Sequence, residues 1–361
     1  MSGLPDVAEL ERRARRLLPA DAYDYYAGGS GRGATLRASA EAWREVWLAP
    51  RILRDVTAVD TTVTVPGGTL PSPIGVAPTA YHGLAHPDGE LATAAGAARA
   101  GALFVLSTRS TRRIEDVAEV VGGLGGTWWF QVYVMRDREL TAGLVRRAAA
   151  AGAGALVLTG DTPVVGRALG PGPSPRAVSG PDFLVNLGPL EDLSRAVHSA
   201  GVTFADIGWL AETSGGLPIV VKGVLRRDDA LACAAHGAAA VIVSNHGGRQ
   251  LDGAVPAAWA LPGIAAGLAR PGGPGLPAYA DGGIRTGSDA LAALALGARA
   301  VFVGRPALWA LACGGADGVQ ELMDGLRADL AQQMTLAGAA SVSSIPAAVT
   351  GPGWPPPGQP L

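Results

Sequence analysis

Short apolar runs alternate with amphipathic stretches along most of the chain. Eight such runs, each bounded by turn residues, lie at 74–77, 103–106, 128–134, 156–159, 219–222, 240–243, 278–280 and 300–303. Helical periodicity follows most of them, over 88–100, 113–121, 138–151, 227–236, 256–269, 287–297 and 315–337. Strands that are apolar throughout are typical of a parallel sheet covered on both faces. Eight successive strand-then-helix units favour an α/β fold of the closed (β/α)8 TIM barrel type over an open doubly wound sheet.

The remaining segments lie before, within and after this barrel. We predict one domain over 1–345, whose N-terminal extension (1–72) contains amphipathic helices over 5–27 and 34–50. A β-hairpin around Pro66-Gly67-Gly68 follows, and we expect it to close the barrel floor. Residues 166–205 are too long and too rich in Pro and Gly for an ordinary connection, which indicates an active-site lid. The Pro- and Gly-rich segment 346–361 is predicted to be an extended, mobile tail.

Composition narrows the class of protein. The length of 361 residues, with 48% hydrophobic and 17% charged residues, suits a large α/β domain. A formal net charge of −2 gives no electrostatic case for a nucleic acid or an anionic membrane as partner. The first residues contain no apolar signal core, and no apolar segment is long enough to span a bilayer. Cys233 and Cys313 lack metal-ligand spacing, so we expect no metal site and a reducing, cytoplasmic location.

A glycine-rich turn directly after the sixth apolar run carries candidate chemistry. It reads Ser-Asn-His-Gly-Gly-Arg-Gln over 244–250. His246 can move a proton near neutral pH. Arg249 offers a forked grip on a carboxylate. A solvated loop with a chance His–Arg pair explains this turn equally well, so the other strand ends have to decide.

Every other predicted strand also ends in polar residues. In a TIM barrel, functional side chains gather at the carboxyl ends of the strands. The polar positions there are Thr79, Ser107 and Thr108, Gln131 and Tyr133, Thr159 and Asp161, Lys222, Asp281 and Arg285, and Arg305. Because all eight strands supply a polar group to one rim, an active site is favoured over a solvated loop.

The last two strand ends are glycine turns with nearby arginines. They read Asp-Gly-Gly-Ile-Arg over 281–285 and Gly304-Arg305. Barrels commonly bind phosphate at these two loops, so the pair predicts a phosphorylated ligand. Lys222, on a neighbouring strand, is positioned either to stabilise negative charge on a reduced cofactor ring or to form an ion pair with Asp281.

Several motifs occur in the order found in one enzyme family. They are Tyr-Asp-Tyr-Tyr at 23–26, Pro-Thr-Ala at 78–80, Asp-Thr-Pro at 161–163, Lys-Gly-Val at 222–224, the 244–250 turn and the 281–285 turn. The chain resembles the FMN-dependent 2-hydroxy acid oxidases and dehydrogenases from about residue 8 to 345. That family includes glycolate oxidase, lactate oxidase and mandelate dehydrogenase. The turns at 27–31 and 247–256 are most similar to the hydroxymandelate oxidase branch.

The resemblance implies a TIM barrel that oxidises a 2-hydroxy acid, aromatic ones included, to the 2-oxo acid. It implies that His246 is the base, that Asp161 orients it, that Arg249 binds the substrate carboxylate, and that Tyr25 and Tyr133 contact the substrate. The implied FMN positions are Pro78, Thr79, Ala80, Ser107, Gln131, Thr159, Lys222, Ser244, Asp281, Gly283, Arg285, Gly304 and Arg305. It further implies O2 or another electron acceptor and a homotetramer or homo-octamer.

One position departs from the family pattern. After Asp161-Thr162-Pro163 the family carries a second carboxylate-binding arginine, and Ala168 occupies that place here. Either Arg109 or Arg167 substitutes for it, or Arg249 binds a different kind of substrate alone. Losing one such contact typically costs about 2–5 kcal/mol of binding. The alternative function is therefore a barrel that binds flavin or a phosphate ligand with altered or lost hydroxy acid activity.

Overall fold

Eight parallel strands form a closed barrel, which confirms the predicted TIM fold. The computed structural model describes residues 6–167, 185–187, 192–269 and 272–345. A hairpin of β1 (Val63–Val65) and β2 (Gly68–Leu70) precedes the barrel. The barrel strands are β3 (Ile74–Val76), β4 (Phe104–Ser107), β5 (Trp128–Val132), β6 (Leu156–Thr159), β7 (Ile219–Val224), β8 (Ala240–Val243), β9 (Ala278–Asp281) and β10 (Ala298–Val303). They pair in chain order, and β10 closes the barrel against β3.

A helix follows each barrel strand. Three further helices precede the hairpin: α1 (Val7–Leu17), α2 (Ala20–Ala27) and α3 (Ala34–Arg44). The outer ring consists of α4 (Glu90–Arg99), α5 (Ile114–Gly123), α6 (Arg138–Ala150), α7 (Ala205–Thr213), α8 (Arg227–Ala235), α9 (Ala257–Ala269), α10 (Gly287–Ala295) and α11 (Arg305–Ala337). No helix in the described ranges combines the length and apolarity that crossing a membrane requires.

The hairpin lies against the amino-terminal ends of the strands, as predicted. Val63, Val65 and Leu70 belong to the apolar cluster that fills the barrel interior. Trp129, which is fully buried inside the barrel, donates its indole N–H to Pro66 O at 2.8 Å. The barrel is therefore a packed core that is closed at the floor, and space for a ligand remains at the carboxyl ends of the strands.

Several predicted helix boundaries were wrong. The single helix expected over 5–27 is two helices, because Leu18 adopts an extended backbone immediately before Pro19. The second predicted helix ends at Arg44 and not at residue 50. The last one begins at Arg305, and the start predicted at residue 315 is instead a break at Gly314-Gly315.

The segment predicted as a lid (166–205) is described only in part. Residues 168–184 and 188–191 lie outside the described ranges, as does the predicted tail, 346–361. The described end of this segment forms a 3-10 turn, Leu193–Ala196, and a bridge between Met135 and His198. Helix α7, which follows it, was not predicted.

Candidate active site

A cavity of about 1090 Å³ opens at the carboxyl ends of the barrel strands. Residues at or just beyond the carboxyl ends of all eight strands line it, together with Asp24, Tyr25, Tyr26, Gly28 and Gly29 of the N-terminal extension. The predicted site residues in its wall are Tyr25, Pro78, Thr79, Ala80, Ser107, Arg109, Tyr133, Lys222, His246, Arg249, Asp281, Gly283, Arg285, Gly304 and Arg305. Most of the residues that were predicted from their place at strand ends therefore line one cavity.

Four predicted residues support this wall from behind. Gln131 is buried; its Oε1 accepts from Ser107 Oγ at 3.2 Å, and its Nε2 donates to Thr159 Oγ1 at 2.8 Å. Ser244 Oγ accepts from Lys222 Nζ at 2.8 Å. Asp161 contacts His246 from the side away from the cavity lining. These side chains fix the wall residues and are not themselves among the residues that line the cavity.

The two candidate replacements for the missing arginine lie in different places. The side chain of Arg167 is exposed and is not among the residues that line the cavity. Arg109 lines the cavity, and its Nη2 donates to Ala196 O at 2.7 Å. The placement therefore favours Arg109 as a ligand-binding residue.

His246 is held on both sides of its ring. Its Nδ1 lies 2.9 Å from Asp161 Oδ1, and its Nε2 lies 3.5 Å from Tyr133 Oη. The residue adopts a left-handed backbone (φ 58°), which is uncommon for a non-glycine residue and places the ring at the cavity wall. Because Nδ1 faces the carboxylate, Nε2 is the nitrogen available for proton transfer.

Asp161 is suited to stabilise a positive charge on that ring. Burial by itself would raise the pKa of Asp161, but the His246 imidazole and then Lys222 outweigh burial and lower the pKa. Its Oδ2 is buried and has no hydrogen-bond partner within the described ranges. A side chain on Gly223 would come within 2.5 Å of the Asp161 Cγ atom, so a glycine is required for this close packing.

Arg249 and two tyrosines form the wall next to His246. The guanidinium lies 4.8 Å from the centre of the Tyr25 ring, and its Nη1 donates to Tyr25 O at 2.7 Å. Burial raises the pKa of both Tyr25 and Tyr133, so both phenols are neutral donors at physiological pH. This group offers one cation and two hydroxyl groups to a small anionic ligand.

Lys222 forms the predicted ion pair and also lines the cavity. Its Nζ lies 3.1 Å from Asp281 Oδ2, and both side chains are buried. Asp281 Oδ1 is buried without a partner in the described part of the chain. The two interpretations of Lys222 are therefore compatible, since the paired ammonium still faces the ligand space.

The far end of the cavity is cationic. Burial, followed by the charges of Arg249 and Arg285, lowers the pKa of Arg305 to about 9. Within the described ranges, the guanidinium of Arg305 donates to carbonyl oxygens, those of Tyr26, Gly28 and Gly247, and to no carboxylate. A buried cation beside other cations is costly without an anion, so this end is suited to a phosphate.

Gly283 leaves the backbone accessible at this cationic end. Its φ is +94°, and a side chain there would come within 2.0 Å of Ser39 O. Only glycine fits this turn, and the lack of a side chain lets a ligand approach the backbone amide closely.

Sequence reasoning missed several residues of the cavity wall, among them Tyr81, Arg136 and His198. Tyr81 directly follows the predicted Pro-Thr-Ala motif. His198 lies in the long irregular segment, where neither periodicity nor a turn signal marks it. Its position depends on the bridge to Met135, which cannot be predicted from local sequence. In the described ranges, no group of three or more His, Cys, Asp or Glu side chains is arranged to hold a metal ion.

Comparison with known proteins accounts for this arrangement. A sequence profile described as FMN-dependent dehydrogenase matches residues 14–351. The chain belongs to the FMN-dependent dehydrogenase family. It is 41% identical to 4-hydroxymandelate oxidase of Amycolatopsis orientalis, over 94% of this chain and 96% of the relative. It is 42% identical to glycolate oxidase 1 of Zea mays, over 96% and 95% of the two chains.

Solved structures agree with this assignment. A mandelate oxidase crystal structure superimposes with a TM-score of 0.82 at 40% identity, and covers 94% of this chain and 96% of its own. A variant mandelate oxidase with (S)-mandelic acid gives the same TM-score at 41% identity over 94% and 96% of the chains. The chain thus shares the fold of these enzymes over 94% of its length.

The cavity fits the cofactor of the family. The cationic end, with Arg285, Arg305 and the bare backbone at Gly283, is suited to the phosphate of FMN. Lys222 and the unpartnered Asp281 Oδ1 lie where a polar cofactor would meet buried charges. Thr79 is fixed in the wall by a hydrogen bond of 2.6 Å between its Oγ1 and Nε2 of the buried His82.

Proposed function

We propose that this protein is an FMN-dependent enzyme that oxidises a 2-hydroxy acid to the corresponding 2-oxo acid. The observation that carries the proposal is the His246–Asp161 pair (2.9 Å), placed beside Arg249 in a cavity whose far end suits a phosphate. An imidazole backed by a carboxylate is a base, and a neighbouring guanidinium binds a carboxylate.

Each residue near the substrate would have its own role. Bound FMN would accept the two electrons that the substrate loses. Nε2 of His246 accepts a proton from the substrate, and Asp161 stabilises the imidazolium that results. Arg249 holds the substrate carboxylate, and the Tyr133 hydroxyl, 3.5 Å from Nε2, orients the substrate oxygen. Tyr25 completes this wall through its contact with Arg249.

The roles of the FMN-binding residues follow from their places. Arg285, Gly304 and Arg305 would bind the phosphate of FMN. Lys222 and Asp281 would contact its ring and its side chain. Residues 78–80 and Ser107 would contact the face of the ring. Gln131, Thr159 and Ser244 would support these groups through the hydrogen bonds described above.

The substrate is proposed at the level of a class. Relatives include a 4-hydroxymandelate oxidase, an L-lactate oxidase and glycolate oxidases, so aromatic and aliphatic 2-hydroxy acids both belong in the test set. Of the two candidate arginines, Arg109 is the one that can contact a substrate, since it lines the cavity and Arg167 does not.

We also propose an electron acceptor, an assembly and a domain organisation for this protein. The electron acceptor is O2 or another carrier, and the assembly a homotetramer or homo-octamer. Residues 1–345 act as one domain, with 166–205 as its lid and 346–361 as a tail. The two cysteines, both free, support a reducing, cytoplasmic setting.

The decisive assay measures product. The purified protein, loaded with FMN, is supplied with mandelate, lactate or glycolate and either O2 or an artificial electron acceptor. We expect a 2-oxo acid to form in step with consumption of the acceptor, and the faster acceptor distinguishes an oxidase from a dehydrogenase. FMN that binds but supports no oxidation of any 2-hydroxy acid would favour the alternative, a flavin-binding barrel that has lost this activity.

A further inference from the structure

Arg109 is a cavity arginine without a carboxylate partner. Among the described residues its side chain is satisfied only by a neutral acceptor, Ala196 O, at 2.7 Å. Neighbouring arginines at the outer face are paired: Arg138 with Asp206, and Arg195 with Asp137. The wall therefore contains a cation that the described part of the protein does not neutralise.

His198 lies in the same wall with an unsatisfied nitrogen. Its ring stacks on Tyr133, with centroids 4.0 Å apart and planes inclined by 16°. Its Nδ1 is buried and has no hydrogen-bond partner in the described ranges. Leaving such a group unpaired is unfavourable, so a ligand that supplies a hydrogen-bond partner would stabilise it.

Arg109 and His198 face one part of the cavity. The Arg109 guanidinium contacts the backbone two residues before His198, and both side chains line the cavity. Burial, followed by the charge of Arg109, lowers the pKa of His198 to about 4, so its ring is neutral at physiological pH. A neutral imidazole N–H beside a guanidinium is a donor set for an anion.

Arg109 and Arg249 are held by different segments of the chain. Arg249 Nη1 donates to Tyr25 O at 2.7 Å and to Gly28 O at 3.2 Å, whereas Arg109 donates to Ala196 O. Arg136 also lines the cavity, but it is exposed. Arg109 and Arg249 are therefore two half-buried cations that the cavity presents from different segments, in addition to the arginines of the phosphate end.

We propose that Arg109 and His198 form a second anion subsite, which selects 2-hydroxy acids whose side chain ends in a carboxylate. The proposal rests on the proposed function, in which Arg249 takes the carboxylate next to the hydroxyl. The second carboxylate neutralises Arg109 and accepts a hydrogen bond from His198. The substrate class is therefore a dicarboxylic 2-hydroxy acid, with a flexible or an aromatic spacer.

Binding of matched, non-reacting product analogues tests this without turnover. The probes are two pairs in which an isopropyl group replaces the distal carboxylate: 2-oxoglutarate with 5-methyl-2-oxohexanoate, and 4-carboxybenzoylformate with 4-isopropylbenzoylformate. Isothermal titration of the FMN-loaded enzyme gives a Kd for each. In at least one pair we expect the carboxylate to bind roughly thirtyfold more tightly or better, as for a desolvated charge pair.

Variants locate the effect. Arg109→Met should abolish the preference for the carboxylate and leave the Kd of the isopropyl probe nearly unchanged. His198→Phe keeps the stacking on Tyr133 and should reduce the preference by a smaller factor. Arg195→Met is the matched control, because it removes an exposed arginine of the same segment outside the cavity and should retain the full preference.

Three results would overturn the inference. They are a wild-type enzyme that binds both members of each pair equally, an Arg109→Met variant that keeps the preference, and an Arg109→Met variant that weakens both members alike. The last would place Arg109 on the carboxylate next to the hydroxyl. Failure of the proposed function is a separate result: there the dicarboxylates bind preferentially, but no 2-hydroxy acid is oxidised.

Discussion

The two ends of the cavity are built on opposite electrostatic plans. At the reaction end, the proposed base and the lysine beside it each have a carboxylate partner: His246 with Asp161 at 2.9 Å, and Lys222 with Asp281 at 3.1 Å. At the cationic end, the partners of Arg305 among the described residues are backbone carbonyls, and its pKa is lowered to about 9 by burial and by neighbouring cations.

The difference separates the group that takes part in the reaction from the groups that bind the cofactor. A base keeps its position and its proton affinity when a fixed carboxylate backs it. A phosphate site instead leaves cations unpaired until the ligand arrives, and the ligand supplies the missing charge. Damage at the reaction end should therefore change rates, and damage at the cationic end should change cofactor affinity.

The largest effect is expected from His246→Ala. Removing a general base typically costs 10²–10⁴-fold in rate, so anaerobic flavin reduction by a 2-hydroxy acid should slow by about that factor. The FMN content should stay at the wild-type level, because the phosphate end is intact. Rapid-mixing absorbance measures the rate, and His236→Ala, at an exposed histidine outside the cavity, is the control. An unchanged rate in the His246 variant would refute its role as the base.

Arg305→Met tests the other end. Loss of a buried charged contact typically costs about 2–5 kcal/mol, or roughly 30-fold and upward in Kd. We expect FMN to bind more weakly by that factor, whereas riboflavin, which lacks the phosphate, should be affected much less. Fluorescence titration of the apoprotein measures both constants. Equal weakening of FMN and riboflavin would show that Arg305 does not serve the phosphate.

A smaller effect concerns the pH dependence of stability. The pKa of His198 is lowered from 6.5 to about 4, mainly by burial. The contribution of His198 to the free energy of unfolding is therefore complete above the unfolded-state pKa, and it is lost as the pH falls from about 6.5 towards 4. Between about pH 7 and pH 5, the free energy of unfolding should fall by roughly 2 kcal/mol from this group. Urea denaturation at both pH values should show a smaller fall in His198→Phe, and an identical fall would contradict burial of a neutral ring.

Tyr133→Phe should have the smallest effect. The substitution removes a hydroxyl 3.5 Å from His246 Nε2 but keeps the ring that stacks on His198. A single hydrogen bond contributes about 1–1.5 kcal/mol, so flavin reduction should slow about tenfold. Tyr23→Phe, which removes a hydroxyl bonded to Glu11 outside the cavity, is the control. Equal rates in both variants would remove Tyr133 from the reaction end.

Local patterns were sufficient for much of the fold and the site. Continuous apolar runs predicted all eight strands. The position of His246, Lys222 and Arg305 at strand ends predicted that they lie at one cavity. The predicted helix boundaries were wrong at Pro19 and at Gly314-Gly315, because the tertiary packing on each side decides whether a helix continues there.

Long-range contacts account for what was missed. His198 reaches the cavity through a bridge to Met135, and no local pattern encodes that contact. The choice between Arg109 and Arg167 likewise depended on which side chain faces the cavity, since the two are equivalent in charge.

The central claim is that the His246 end oxidises a 2-hydroxy acid bound beside FMN. A single anaerobic turnover of the FMN-loaded wild-type enzyme tests it most directly, with the visible flavin absorbance followed after mixing with monocarboxylic, aromatic and dicarboxylic 2-hydroxy acids. We expect at least one of them to bleach the flavin and to yield one 2-oxo acid for each FMN reduced. Flavin that stays oxidised with every 2-hydroxy acid, although a chemical reductant bleaches it, would show that the His246 end does not oxidise this class of substrate.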